Sequence, residues 1–92
     1  MEAKEFYKKV LDKYIANKGT VTNNITDRVF LMIQKDKELL KDYEAYVGGQ
    51  KLGVANGRIS KAIKAKFNLQ NDEKCQTPES SLIESYMMFK TK

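Results

Sequence analysis

The sequence predicts an all-α protein, a compact bundle of four to five short helices. Two patterns carry that expectation. Apolar residues recur at steps of three and four in successive segments, which is the period of an amphipathic helix. No segment alternates apolar and polar residues long enough to make a convincing strand. With 92 residues, 41% hydrophobic and 32% charged, the chain has the balance of one globular domain, residues 1–92.

The first helix carries Ala3, Phe6, Tyr7, Val10, Leu11, Tyr14 and Ile15 on one face, with Glu5, Lys8, Lys9, Asp12 and Lys13 opposite. Glu5 and Lys9 stand at i,i+4 in the favourable order. Asn17-Lys18-Gly19 is a stop, with Gly19 available for a left-handed cap. Thr20 to Asn24 is a polar connector. A second helix, capped by Asn24 or Thr26, places Ile25, Val29, Met32 and Ile33 on one face. Asp36 reads as the N-cap of a third helix running from Lys37 to about Val47, with Glu38 in its first turn. One longer helix through this point is the alternative.

Gly48-Gly49-Gln50-Lys51 is a loop, because adjacent glycines weaken a short helix. A fourth helix follows from near Gly53 to Phe67, with Ala55, Ile59, Ile63 and Phe67 as its buried stripe and Asn68 as a C-cap. Gln70 to Gln76 is a polar loop holding the lone Cys75. Thr77-Pro78 then opens a C-terminal helix, about 78–90, since Thr at the N-cap and Pro at the first helical position is a favoured order. Leu82, Ile83, Tyr86, Met87 and Phe89 supply its apolar face, and Ser81 to Glu84 offers a second capping box.

The net charge of +5 is unevenly spread. Cations and acids alternate through residues 1–44. The segment 45–71 carries Lys51, Arg58, Lys61, Lys64 and Lys66 with no acid. A one-sign stretch is a field aimed at an anion. On a wheel of about 100° per residue, Arg58, Lys61 and Lys64 fall opposite the Ile59–Ile63 stripe, with Gly57 and Ala65 between them. Small neighbours let a phosphate backbone come close while the long cations reach it.

The residue inventory excludes much chemistry. There is no His, no Trp and one Cys, so His-based acid–base catalysis, Ser-His-Asp and Cys-His systems, zinc fingers and internal disulfides are all absent. Asp36 with Glu38, Asp42 with Glu44 and Asp72 with Glu73 read as solvated charges or caps. Gly53 to Gly57 lacks the Gly-Lys-Ser/Thr ending of a phosphate loop. A helix-turn-helix register across Gly48-Gly49 fails. Setting Gly53 at the turn puts two glycines inside the preceding helix, and setting Gly48 there leaves Gly49 and Gly57 where bulk is needed. The nine aromatics fall mostly on the helical stripes, as core residues do, and only Tyr7 and Tyr46 are candidates for a base-stacking surface. Cys75 reads as a passive free thiol.

The expectation is therefore a small protein that binds and does not catalyse, a regulator whose basic helix meets phosphates on DNA or structured RNA. Lys51, Arg58, Lys61 and Lys64 are the phosphate contacts, and Asn56 can reach a base edge. No cofactor, metal or small-molecule substrate is implied. The alternative is an inhibitor, like those that phages and mobile elements make against bacterial nucleases (anti-CRISPR proteins included), gripping a nuclease or a protein–RNA complex with the same surface. That likeness is one of size and style alone. With no signal-peptide core and a longest apolar run of five residues, Val29 to Ile33, a cytoplasmic location is expected.

Overall fold

A computed structural model describes residues 2–92. Four helices come first: α1 (Ala3–Ala16), α2 (Ile25–Lys35), α3 (Lys37–Val47) and α4 (Leu52–Lys66). Two strands follow, β1 (Leu69–Cys75) and β2 (Tyr86–Thr91), paired antiparallel. The protein is an α+β domain, and the all-α expectation is wrong in its last quarter. None of the helices is long and apolar enough to cross a membrane.

The helical part follows its periodicity. Phe6, Val10, Leu11 and Tyr14 of α1, Val29, Phe30 and Ile33 of α2, Leu39, Tyr43 and Tyr46 of α3, and Ala55, Ile59 and Ile63 of α4 are buried in one core. Phe6 stacks on Tyr46 at 4.7 Å between ring centroids, joining α1 to α3. The break between α2 and α3 falls at Asp36, whose Oδ1 accepts the Leu39 N–H at 3.0 Å. Thr26 is not a cap; it lies within α2, buried.

Three local details depart from the sequence reading. Lys9 does not pair with Glu5. It reaches across to Asp42 at 2.6 Å and Glu38 at 2.7 Å on α3, and these two carboxylates raise its pKa. The left-handed residue that ends α1 is Lys18 (φ 60°), not Gly19. Lys18 N–H bonds Ile15 O and Gly19 N–H bonds Tyr14 O, the paired bonds of a Schellman end. Gly19 is required for space: a Cβ there would lie 2.5 Å from the Tyr14 ring, whose hydroxyl donates to Thr20 O at 2.6 Å. Ile15, expected on the buried face, is 47% exposed.

The expected C-terminal helix at 78–90 does not form, and neither does the polar loop at 70–76. Asn68 takes a left-handed φ of 54° and turns the chain from α4 straight into β1. Residues 76–85 then form a loop that is tied to α2. The Asp27 carboxylate, 3% exposed as a residue, accepts the N–H groups of Glu79 at 2.9 Å and Ser80 at 3.0 Å. Gln34 Oε1 accepts the Ser81 N–H at 2.8 Å and the Ser80 hydroxyl at 3.0 Å. These amides would have been the free donors of a helix's first turn. Acceptors from α2 satisfy them instead, and the chain continues as β2, where Phe89 N–H also bonds Asn23 O at 3.1 Å.

The pairing explains why the strands were hidden. Asn71 lies opposite Phe89 and Lys74 opposite Met87, so Asp72 and Glu73 together face the single residue Met88. This bulge shifts the phase of the sheet. Across the loop and β2 the buried residues are Ser80, Ile83, Tyr86 and Phe89, three apart. That spacing imitates a helix. Gln70 to Lys74 are all exposed, so β1 carries no alternation at all.

Two outcomes follow. Asp27→Ala strands two amides and should lower stability by about 2–4 kcal/mol in urea denaturation. It should also speed hydrogen exchange at Glu79 and Ser80, while Asp12→Ala at the surface stays within about 0.5 kcal/mol of the parent. Asp36 is an acid-sensitive group. The Lys13 ammonium at 2.6 Å, and then the Leu39 N–H, hold its carboxyl below the ordinary 3.8. A depressed folded pKa contributes stability that is complete above the unfolded value and fades as pH falls through the folded one. Asp36→Asn should therefore lose less stability than the parent on acidification below about pH 4, measured by thermal melts across that range.

Candidate functional site

A cleft of about 820 Å³ lies between α4 on one side and the hairpin with residues 81–87 on the other. Its α4 wall is built from Gly53, Asn56, Gly57, Ser60, Lys61 and Lys64. These positions share one side of the helix by the 3.6-residue period. Phe30 and Thr26 of α2, with Ile83, Tyr86 and Phe89, lie beneath it. Asn71, Lys74, Ser85 and Met87 make the facing wall.

The sequence-derived site residues divide here. Lys61 and Lys64 line the cleft, Lys61 exposed and Lys64 half-buried. Lys51 is the N-cap residue of α4 and Arg58 lies on the helix's other flank; both are exposed and neither lines the cleft. Arg58 Nη1 donates to Gln50 Oε1 at 2.8 Å and so braces the Gly48–Gly49 turn. Asn56 lines the cleft, but its amide is committed at both ends. Its Oδ1 accepts the Tyr43 hydroxyl at 2.6 Å and its Nδ2 donates to Leu82 O at 3.0 Å. It joins α3, α4 and the loop, which is a positioning role.

A second network holds α4 at the neighbouring residue, Ala55. The Tyr46 hydroxyl donates to Ala55 O at 2.8 Å and lies 2.8 Å from the Tyr7 hydroxyl. Since Tyr46 has one proton and Ala55 O accepts it, Tyr7 is the donor to Tyr46. Burial, then the Tyr7 contact, push the Tyr46 pKa up. Tyr7 and Tyr46 are thus bonded partners and do not form a stacking surface.

Sequence reasoning missed Lys74. In an unbroken strand Asn71 and Lys74 would point to opposite faces. The bulge at Asp72-Glu73 restores Lys74 to the face of Asn71, Met87 and Phe89, toward α4. Three lysines from two elements therefore meet around one cleft, with Glu84 the one acid in its lining. Gly53 and Gly57 were visible in sequence but not their purpose. A Cβ at either would meet no atom within 4 Å. Each costs the helix about 0.5–1 kcal/mol relative to Ala with no internal packing gain. Thr26, 1% exposed, contributes a buried Oγ1 with no hydrogen-bond partner.

Among the described residues no cluster of three or more His, Cys, Asp or Glu gathers to hold a metal. Cys75 is outside the cleft lining. Its thiol is held below the ordinary value of 9.0 by the Thr77 N–H and the Tyr86 hydroxyl, while burial and that same contact push Tyr86 up to about 12. Comparison with protein families, curated proteins and solved structures finds no match to this chain.

Asn56→Ala should destabilise the fold by about 1–3 kcal/mol in urea titrations, because Tyr43 and the Leu82 carbonyl both lose a partner. Lys61→Gln should leave stability within about 0.5 kcal/mol of the parent.

Proposed function

We propose that this protein is a non-enzymatic binding protein, a regulator that engages nucleic acid through phosphates at the basic surface of α4. The observation that carries this reading is the pairing of charges. Every ion pair among the described residues uses a lysine of α1: Lys8 with Asp12, Lys9 with Glu38 and Asp42, and Lys13 with Asp36. None of the five cations on or beside α4 has a carboxylate within ion-pair distance among the described residues. Unpaired cations gathered on one surface raise the local potential and attract a polyanion.

A second reading has its own observation. Leu52 and Val54 stand 53% and 47% exposed at the start of α4, beside the cations. An apolar contact flanked by charge suits a protein partner. The alternative is thus an inhibitor of the anti-CRISPR kind, seated on a nuclease or protein–RNA complex.

The two separate on salt. Phosphate binding weakens with a log–log slope of about −0.7 to −0.9 per contact; a protein complex anchored by Leu52 and Val54 persists at high salt. The test is fluorescence anisotropy with labelled single- and double-stranded oligonucleotides at low ionic strength. Arg58→Glu, Lys61→Glu and Lys64→Glu together should abolish binding with the circular dichroism unchanged. Lys4→Glu, Lys35→Glu and Lys41→Glu together make the same charge change at exposed positions away from α4 and should leave most of the affinity. Lys9 and Lys13 are unsuitable controls because they hold α1 to the α3 segment. Equal loss in both triple variants would mean that net charge alone is read.

A further inference from the structure

We infer that the cleft beside α4 takes a single strand of nucleic acid, with its phosphates on Lys61, Lys64 and Lys74. This rests on the nucleic-acid reading above and names the form of the ligand. Four observations lead to it.

The first is convergence. Lys61 and Lys64 stand one turn apart on α4, about 4.5 Å along the axis. Lys74 faces them from the hairpin only because the bulge puts it opposite Met87. A ligand that reaches all three lies inside the cleft, between the walls.

The second is the glycine pair. Gly53 and Gly57 are an i,i+4 pair on the cleft wall, open to the space a Cβ would fill. Nothing within the protein needs that space. A backbone from outside, lying along the helix between the lysines, does. The third is Thr26, a wall residue with a buried hydroxyl that no protein atom satisfies. Buried polar groups are rarely left unpaired, and a sugar oxygen of a strand seated in the cleft would supply a partner where the protein supplies none.

The fourth is width. The major groove of a B-form duplex is about 12 Å wide, and an α-helix with its side chains already fills about 10–12 Å. The lysine flank of α4 has the hairpin beside it, so the two together cannot enter a groove. A duplex could meet Lys51 and Arg58 on the outer flank but would not reach Lys64, Lys74 and the glycines at once. A single strand is thin and flexible enough to do so. The aromatics beneath the cleft, Phe30 and Phe89, are themselves buried, so the strand is held by its backbone and affinity should vary little with base sequence.

The experiment is anisotropy with a short fluorescein-labelled oligothymidylate, its duplex with oligoadenylate, and a hexaglutamate peptide. The parent protein should bind the single strand at least about tenfold more tightly than the duplex, with a log–log salt slope of roughly −2 for three contacts. Lys74→Gln should weaken single-strand binding several-fold. Lys90→Gln, on the same hairpin but opposite Gln70 and outside the cleft lining, should not. Gly53→Ala with Gly57→Ala should raise the melting temperature and lower single-strand affinity together, which a purely structural role cannot produce. Tighter duplex binding, equal effects of Lys74→Gln and Lys90→Gln, hexaglutamate binding as tight as the oligonucleotide, or free thymidine monophosphate competing as well as the strand would each overturn the inference. If the duplex binds and depends on Arg58, Lys61 and Lys64 but not on Lys74, the single-strand inference falls and the nucleic-acid reading stands. If neither nucleic acid binds at low salt, both fall.

Discussion

The Asp27 carboxylate governs the last quarter of the molecule. A buried carboxylate is costly unless hydrogen bonds replace its hydration. Here two backbone amides, from Glu79 and Ser80, do so. Gln34, two turns along the same helix, takes the next amide and the Ser80 hydroxyl. The bonds work in both directions: Asp27 is tolerated in the core because the loop is there, and the loop is held because Asp27 is there. With residues 79–81 pinned to α2, the chain beyond them is delivered alongside β1. The cleft follows from the same constraint, since its far wall is made by residues the clamp positions.

The remaining walls are held by polar groups that link elements. Asn56 ties α4 to Tyr43 of α3 and to Leu82 of the loop, and the Tyr7–Tyr46–Ala55 chain of hydrogen bonds holds the neighbouring residue of α4 against α1 and α3. α4 is therefore fixed to three other segments while Lys61 and Lys64 remain without ion-pair partners. A wall held in this way loses little freedom when a ligand binds, which limits the entropy cost of association. Two glycines in the same helix make it less stable than alanine would, and they lie where α4 borders the cleft.

Charge divides the molecule in the same manner. Lys8, Lys9 and Lys13 of α1 are spent on carboxylates of α1, α3 and Asp36, and Lys9 and Lys13 thereby join α1 to the α3 segment. Cations of α4 have no such partners. The hairpin adds Lys74 to the cleft while Asp72 and Glu73, the bulge residues, are exposed outside its lining. One extra residue in a strand thus places a cation inside the cleft and leaves two acids outside it.

The helices α1 to α4 were legible because each buries a stripe on its own periodicity: Phe6, Val10 and Tyr14, or Ala55, Ile59 and Ile63, need no distant partner to be recognised. The Asp36 cap was legible for the same reason, being a bond between residues three apart. So was the acid-free run that carries Lys61 and Lys64. The strands were not. β1 is polar from Gln70 to Lys74, where its side chains face solvent or the cleft, and β2 buries Tyr86 and Phe89 at a spacing of three that imitates a helix. Thr77-Pro78 is a fair helix start on local grounds. It is overruled by Asp27 and Gln34, which lie more than forty residues away and satisfy the amides a first helical turn would leave free. Asn56 looked like a free polar group on a helix, and tertiary packing committed both its ends. Local periodicity and capping are properties of neighbouring residues, so the sequence by itself determined the four helices and their core faces. The sheet, the cleft and the meeting of Lys74 with Lys61 and Lys64 depend on hydrogen bonds between distant segments, and only the tertiary structure decided them.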